Sequence, residues 1–473
     1  MSDTIITTAQ AGNIPTNYQC PPRILLGMCI GVSIYWLFAL SMGPLLPSIG
    51  KELGVNVPDL ALPMSLAGLV SGICIMPAGG LADRAGRLLM TRIGLAAGLA
   101  GMLMCGLANS VEWLIAGRFM QGLAAGFIMP ATLALVKVYY NDEDRPKAIS
   151  YWSMSSFGSA SVSSLFGGLV ATFLGWRWAF LLAAPLIALA FWLLRAAPES
   201  KVARDKKHPF DAIGFTVLIA GLLGLFLFVT KGNTWGWSSL EALTALSIFA
   251  IALLVFIAHE RRHPAPIADL SLFKRRAFTG AVVANLFLNS LLGLLVVLLA
   301  YLQKGRGLSA LNASLLTLSY TVTVLSLIRV GEKIGKNRGP RLPMVLGALF
   351  FTLSALCLAS TSIANDLGYF AMSFIGMGCM GTGLGLFATP ATNTAVGEAP
   401  ADKAGAAGGI FKMASSLGGA FGIAIHLAIY GSIARANGGN FHEAAQYALG
   451  IGACASVIAA LFSYWLAPTT KKA

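Results

Sequence analysis

The sequence predicts an all-α, polytopic membrane protein, and three observations lead there. Of 473 residues, 56% are hydrophobic and only 11% charged, less than half the roughly 25% charge of an average soluble domain. Apolar runs of about 20 residues, each able to cross a bilayer at about 1.5 Å per residue, recur from Ile24 to the C-terminus. The 33 basic residues exceed the 19 acidic ones by 14 and sit mostly in short connectors between those runs. Such charge placement is the positive-inside signal of a membrane topology rather than a nucleic-acid surface.

Taken in order, residues 1–20 are polar. The first apolar run, 24–46, is too long for a signal-peptide core and lacks an Ala-x-Ala exit, so it is expected to persist as the first span. Between polar punctuation, further spans are expected near 58–80, 91–109, 113–138, 147–172 and 177–196. A pair follows at 211–230 and 239–258, and a last set at 277–302, 309–331, 342–363, 367–390, 404–432 and 444–467. That makes fourteen transmembrane helices. With a cytoplasmic N-terminus, 25 Lys and Arg fall inside and six outside (Lys51, Arg177, Lys231, Lys304, Arg306, Arg435), which places both termini inside. Arg118 and Lys412 lie within spans.

Seven cysteines without a CxxC spacing, mostly within apolar runs, imply neither a disulfide nor a zinc framework. No connector exceeds about 20 residues and no GxxxxGK[ST] occurs. There is no room for a soluble catalytic domain and no nucleotide cradle, so no enzyme activity and no cofactor are expected. Any work must be driven by a gradient.

One internal repeat organises the chain. Pro130-Ala131-Thr132 with Val136 recurs as Pro390-Ala391-Thr392 with Val396, and Ser155–Ala160 recurs as Ser415–Ala420, both at an offset of 260 residues. Spans four and twelve therefore correspond, as do five and thirteen. The division expected is a six-helix bundle at 1–196, a two-helix insertion with its flanking connectors at 197–276, and a second six-helix bundle at 277–473. Parallel halves with a substrate site between them describe a rocking transporter. Gly68/Gly72, Gly94/Gly98, Gly122/Gly126 and Gly418/Gly422 have the GxxxG spacing that lets helices approach closely.

The connector after span two reads Gly79-Gly80-Leu81-Ala82-Asp83-Arg84-Ala85-Gly86-Arg87. Its glycines permit a tight turn, and its carboxylate and guanidiniums form a cluster able to exchange partners. It resembles the GxLADrxGrr loop of the major facilitator superfamily, and Arg118-Phe119-Met120-Gln121-Gly122 resembles the RxxQG motif of the same superfamily. The stretch Pro264–Arg276 is similar to the link before span nine in its fourteen-helix drug:proton antiporter branch. Together with Phe387–Pro390 and Phe411–Gly422, the resemblance narrows to NorB-type quinolone efflux pumps and spans nearly the whole chain.

The resemblance implies a bacterial inner-membrane exporter of amphipathic small molecules, exchanging them for protons by alternating access and conferring antibiotic resistance. A monomer is expected. Gating is assigned to Gly79, Asp83, Arg84, Gly86 and Arg87, with Asp83 meeting the start of span thirteen near Ala404 when the cytoplasmic side closes. Two departures bear on mechanism. Where branch members often carry an aspartate in span one, this chain has Phe38, and the span-five GPxxGG reads Ser163-Ser164-Leu165-Phe166-Gly167-Gly168, without a proline kink.

All 19 acids lie at or near span ends, so the proton-coupling candidates are Glu112 first, then Asp59 and Asp366, with Arg118 relaying the proton state. Substrate-cavity candidates are Tyr35, Trp36, Phe38, Gln121, Trp152, Phe157, Asn285, Asn289, Asn393 and Lys412. A pocket with cations and no deep carboxylate suits zwitterionic or anionic aromatic amphiphiles. A transporter of one endogenous metabolite on the same fold is the alternative. His259-Glu260-Arg261-Arg262-His263 also fits HExxH, the zinc-protease signature. With Pro264 expected to push His263 out of the helix, two arginines to repel a cation and no third ligand in view, a basic connector without metal is expected.

Overall fold

The computed structural model describes residue 18 and residues 20–141, 143–201, 211–263, 266–363, 365–400 and 403–469. Among them every regular element is a helix. The first apolar run is broken: α1 (Pro22–Leu40) and α2 (Met42–Leu53) meet at a 53° bend. There the Ser41 hydroxyl bonds back to the Phe38 carbonyl at 2.8 Å. Then come α3 (Ala61–Ala85), α4 (Arg87–Gly106), α5 (Val111–Tyr139) and α6 (Arg145–Phe173). The sixth apolar run gives α7 (Trp178–Leu181) and α8 (Ala183–Leu194), and the next pair gives α9 (Ala212–Trp235) and α10 (Leu240–Glu260).

In the second part, run nine divides into α11 (Arg276–Ser290) and α12 (Leu292–Lys304), and run ten into α13 (Ala310–Leu315) and α14 (Leu318–Arg338). The last four helices are α15 (Arg341–Leu358), α16 (Asp366–Gly397), α17 (Ala404–Ala436) and α18 (Phe441–Leu466). Twelve described helical segments are long and apolar enough to cross a membrane, and thirteen if α1 and α2 form one span. Trp178–Leu194 is apolar but shorter, so a count of fourteen is not reached by length and composition alone.

Helix ends alternate between two faces. One carries Asp83, Arg145 and Lys403, and the other carries Glu52, Arg306 and Asp366. The repeat is visible in the fold: Pro130 and Pro390 lie inside α5 and α16, and the two serine–glycine segments lie inside α6 and α17. As the missing proline implies, α6 runs unbroken, with the Ser163 hydroxyl satisfied by the Ala160 carbonyl at 2.7 Å. All four GxxxG pairs face neighbouring helices, and Gly68/Gly72 joins the first part of the chain to the second. A methyl on Gly72 would sit 3.1 Å from Ser416 and Leu417 of α17, so the helices approach as closely as a glycine allows.

Candidate functional site

The two parts of the chain touch towards the Arg306 face. Gln303 Nε2 donates to the Pro44 carbonyl at 3.1 Å, Thr321 Oγ1 donates to the Ser161 carbonyl at 2.7 Å, and Pro58 packs on Gly431. Towards the Asp83 face they separate and leave a cavity of about 1280 Å³. Its walls come from both parts of the chain, and its mouth carries Gly79, Asp83, Arg87, Lys137 and Arg145. Drug-sized pockets run to about 300–1,000 Å³, so an amphiphile fits here together with water.

The charges on the wall are uneven. Arg87, Arg118, Lys137, Arg145 and Lys412 line the cavity, and Asp83, at the mouth, is the acid among the described lining residues. Lys412 sits deep on α17 with its Nζ 5.0 Å from the Trp36 ring centroid. It makes no ion pair or hydrogen bond among the described residues, so the aromatic face is its partner. The buried Trp36 Nε1 has no acceptor among the described residues either. Lys412 thus stands on a wall of low polarity without a hydrogen-bond acceptor, a costly arrangement unless one arrives.

Arg118 is 2% exposed and turned inward rather than snorkelling. Its guanidinium donates to the Pro63 carbonyl at 2.8 Å, the Met64 carbonyl at 2.9 Å and Gln121 Oε1 at 2.7 Å. These bonds fix its geometry and make it a source of positive field at the cavity wall. Asn285 and Asn289 also line the cavity, with their amide nitrogens tied. Asn285 Nδ2 donates to the Phe411 carbonyl at 2.9 Å and Ser415 Oγ at 2.6 Å, and Asn289 Nδ2 donates to Asn285 Oδ1 at 2.9 Å. Tyr35 and Trp152 line the wall as expected, Trp152 Nε1 donating to Thr132 Oγ1 at 3.0 Å.

Other expected positions lie elsewhere. Phe38 is 1% exposed and packs edge-on against Phe166 with centroids 5.0 Å apart, away from the cavity. Gln121 faces α4, its amide nitrogen 3.3 Å from Met102 Sδ and 3.4 Å from Cys105 Sγ. Asn393 is exposed on the outside of α16, and Thr392, one position earlier, lines the cavity instead. The Phe157 side chain falls outside those described. None of the three carboxylates expected to couple protons reaches the cavity. Glu112 is exposed in the first turn of α5, Asp59 Oδ2 caps the Asn56 amide at 3.2 Å, and Asp366 binds Arg306 at 2.7 Å. Each serves a helix end.

At the mouth, Asp83 bonds Arg87 at 2.7 Å within its own half, and Arg84 points to the exposed side. Gly86, at φ 128°, makes the turn, a backbone conformation that L side chains rarely adopt. Behind it, Glu199 accepts from the amides of Leu88 and Leu89, both at 2.9 Å, and Arg87 donates to Ser200 Oγ at 3.2 Å. Nothing local in the sequence marks this anchor, because its partners are 110 and 111 residues away. Also missed was His426 inside α17, 3% exposed, whose Nδ1 donates to the Gly422 carbonyl at 2.7 Å while Nε2 has no partner among the described residues.

The model of the Major Facilitator Superfamily matches residues 28–423. The chain belongs to the major facilitator superfamily. Within this superfamily it is similar to the quinolone resistance protein NorB of Staphylococcus aureus strain MRSA252, 39% identical over 446 residues, covering 94% of this chain and 96% of that one. The NorB of strain COL matches over the same lengths at the same identity. It is therefore a multi-pass membrane transporter of the NorB type, not an enzyme. Among solved superfamily structures, a peptide transporter POT in complex with sulfate superposes with TM-score 0.69 at 17% identity, covering 98% of this chain and 97% of that one. A bacterial homologue of the human lysosomal transporter Spinster, described as inward-facing and unoccupied, gives TM-score 0.64 at 17% identity over 94% and 96%. At those identities the likeness is one of fold.

Proposed function

We propose that this chain is a proton-coupled multidrug exporter of the bacterial inner membrane, taking amphipathic aromatic molecules that are zwitterionic or carry a carboxylate. The observation that carries this reading is Lys412, held over Trp36 inside the cavity with no acid beside it. A flat ring with a carboxylate answers both the aromatic wall and the Lys412 ammonium. The name of the relatives, quinolone resistance protein, agrees with that chemistry.

In this reading the chain acts as a monomer of two six-helix bundles, 1–196 and 277–473, with the insertion 197–276 between them. Trp178–Leu194 supplies the fourteenth crossing, its short length matched by burial of Phe180, Ala183, Ile187 and Leu194 against protein. Both termini lie in the cytoplasm, so the Asp83 face is cytoplasmic and the cavity is loaded from inside. Closing that face brings Asp83 to the start of α17, and opening the Arg306 face parts Gly68/Gly72 from Ser416. With Glu112, Asp59 and Asp366 engaged elsewhere, Asp83 is the acid left facing the cavity to exchange protons, and Lys412 serves the cargo.

The test compares accumulation of a carboxylate-bearing quinolone and of ethidium in an efflux-deficient host. Lys412→Ala should abolish resistance to the quinolone while sparing ethidium. Equal loss of both removes the charge argument, and no resistance to any amphiphile in the wild type leaves the single-metabolite transporter. In everted vesicles with an acidified lumen, adding the quinolone should release lumenal protons. Unchanged lumenal pH during uptake would exclude antiport.

A further inference from the structure

The geometry points to a divalent-metal site, suited to zinc, at the Asp83-face end of the α9–α10 pair, formed by Asp211, His259 and His263. It lies apart from the transport cavity and rests on none of the functional reading above.

The third ligand that HExxH lacked in the sequence comes from across the hairpin. Asp211, the residue before α9, presents its carboxylate to the end of α10, where His259 Nε2 lies 2.9 Å from Oδ1 and, three residues beyond the helix, His263 Nδ1 lies 3.8 Å from Oδ2. The three ligand atoms all lie within 4.8 Å of one another. Donor atoms at about 2.0–2.1 Å from a tetrahedral zinc stand about 3.3 Å apart, so the two histidine–aspartate distances are near that spacing and the widest pair closes on a metal by a side-chain shift of at most about 1.5 Å. As expected, His263 lies outside the helix, three residues past its end at Glu260, yet its amide still bonds the His259 carbonyl at 2.9 Å and the two rings stack with centroids 5.2 Å apart. Arg261 and Arg262, expected to repel a cation, are exposed and point to solvent.

A second observation asks for positive charge here. Glu260 is 4% exposed, and its Oε2 accepts from the Ala268 amide at 3.2 Å while its Oε1 has no partner among the described residues. That oxygen and Asp211 flank Gly214, where a methyl would lie 2.8 Å from Glu260 Oε1 and overlap the Asp211 carboxylate. Two buried carboxylates on either side of Gly214 repel each other unless a cation is shared between them. One protonated histidine supplies a single charge, and a divalent ion held by two histidines and Asp211 supplies two. The site fastens the connector ends of α9 and α10 together. It is not a hydrolase centre, because Glu260, the base of that motif, is buried and bonded to the Ala268 amide.

The experiment uses the full-length protein in detergent, stripped with a chelator and titrated with zinc against a competing indicator. One zinc per chain is expected in the wild type. His259→Ala, His263→Asn and Asp211→Asn should each weaken binding by more than the about 10-fold typical of losing an outer-shell partner. Added zinc should slow hydrogen exchange at residues 211–216 and 257–263 in the wild type only. No stoichiometric binding at micromolar zinc, or the same binding by the His259→Ala/His263→Asn double variant, would overturn the site. A double variant that matches the wild type in size-exclusion profile and quinolone resistance shows that any lost binding is local.

Discussion

The carboxylate anchor behind the Gly86 turn has a measurable strength. In Glu199→Ala the first turn of α4 loses a carboxylate that accepts from Leu88 and Leu89 at 2.9 Å each. Removing an N-terminal cap costs about 0.5–2 kcal/mol, and a negative charge at that end adds about 0.3–1 kcal/mol. Since both amides share one half-buried carboxylate, the cost falls near the top of the first range, about 2 kcal/mol, or roughly 30-fold in local opening. Glu199→Gln keeps one acceptor oxygen and should lose about 1 kcal/mol, roughly 5-fold. Hydrogen exchange of peptides covering 86–92, in detergent, reads both numbers directly, and peptides from α17 act as an internal control. Exchange unchanged in both variants would refute the claim that Glu199 holds this turn. Equal acceleration in α17 would show general unfolding instead.

Other consequences follow from the same structure. Gly72→Leu should lock or split the α3–α17 contact, because even a methyl there lies 3.1 Å from Ser416 and Leu417; cross-linking of cysteines on the two Arg306-face ends should change, with quinolone resistance lost while expression persists. Arg118→Ala removes the buried guanidinium that bonds Pro63, Met64 and Gln121 and should cost about 1–3 kcal/mol for each buried acceptor left unsatisfied, seen as lower thermal stability in detergent; Arg118→Lys, with one point charge, should recover part of it. Burial raises the Asp269 carboxyl, but Lys403, bound at 2.6 Å, and Ser271 outweigh it and hold it below the usual range. Its folded pKa being depressed, the tie between this connector and α17 is present above the ordinary carboxylate range and is lost as pH falls through the lowered value. Limited proteolysis of residues 266–276 should therefore accelerate only in strongly acidic buffer, and Asp269→Asn should show the faster cleavage at neutral pH.

Much of the architecture was legible because lipid imposes length. The apolar runs became helices near the expected places, and the 260-residue offset placed its two proline segments on matching helices. Trp178–Leu194 escaped the length criterion because it is packed against protein and short. Which way each residue faces was far less legible. A helix that is apolar on all sides carries little periodic signal, so Phe38, Gln121 and Asn393 were placed on a wall they do not reach. Lys412 and Arg118 were found because a charge within a span must turn towards protein or water. The three carboxylates lie away from the cavity for the opposite reason: acids at span ends have helix caps and neighbouring arginines to serve. Asp211 and Glu199 were invisible as partners because contacts 48 and 111 residues apart leave no local trace.

The repeat has one further consequence. The offset of 260 that pairs Ser155 with Ser415 also pairs Trp152 with Lys412, and both line the cavity. A duplicated wall with identical mates would accept a molecule in two equivalent poses related by the pseudo-twofold axis. Here one copy offers an indole and the other an ammonium, so the degeneracy is lifted and cargo acquires a head and a tail. Under the proposed function, a ring-plus-carboxylate molecule and its regioisomer should then be exported unequally even at equal lipophilicity, so that orientation as well as size bounds the substrate range.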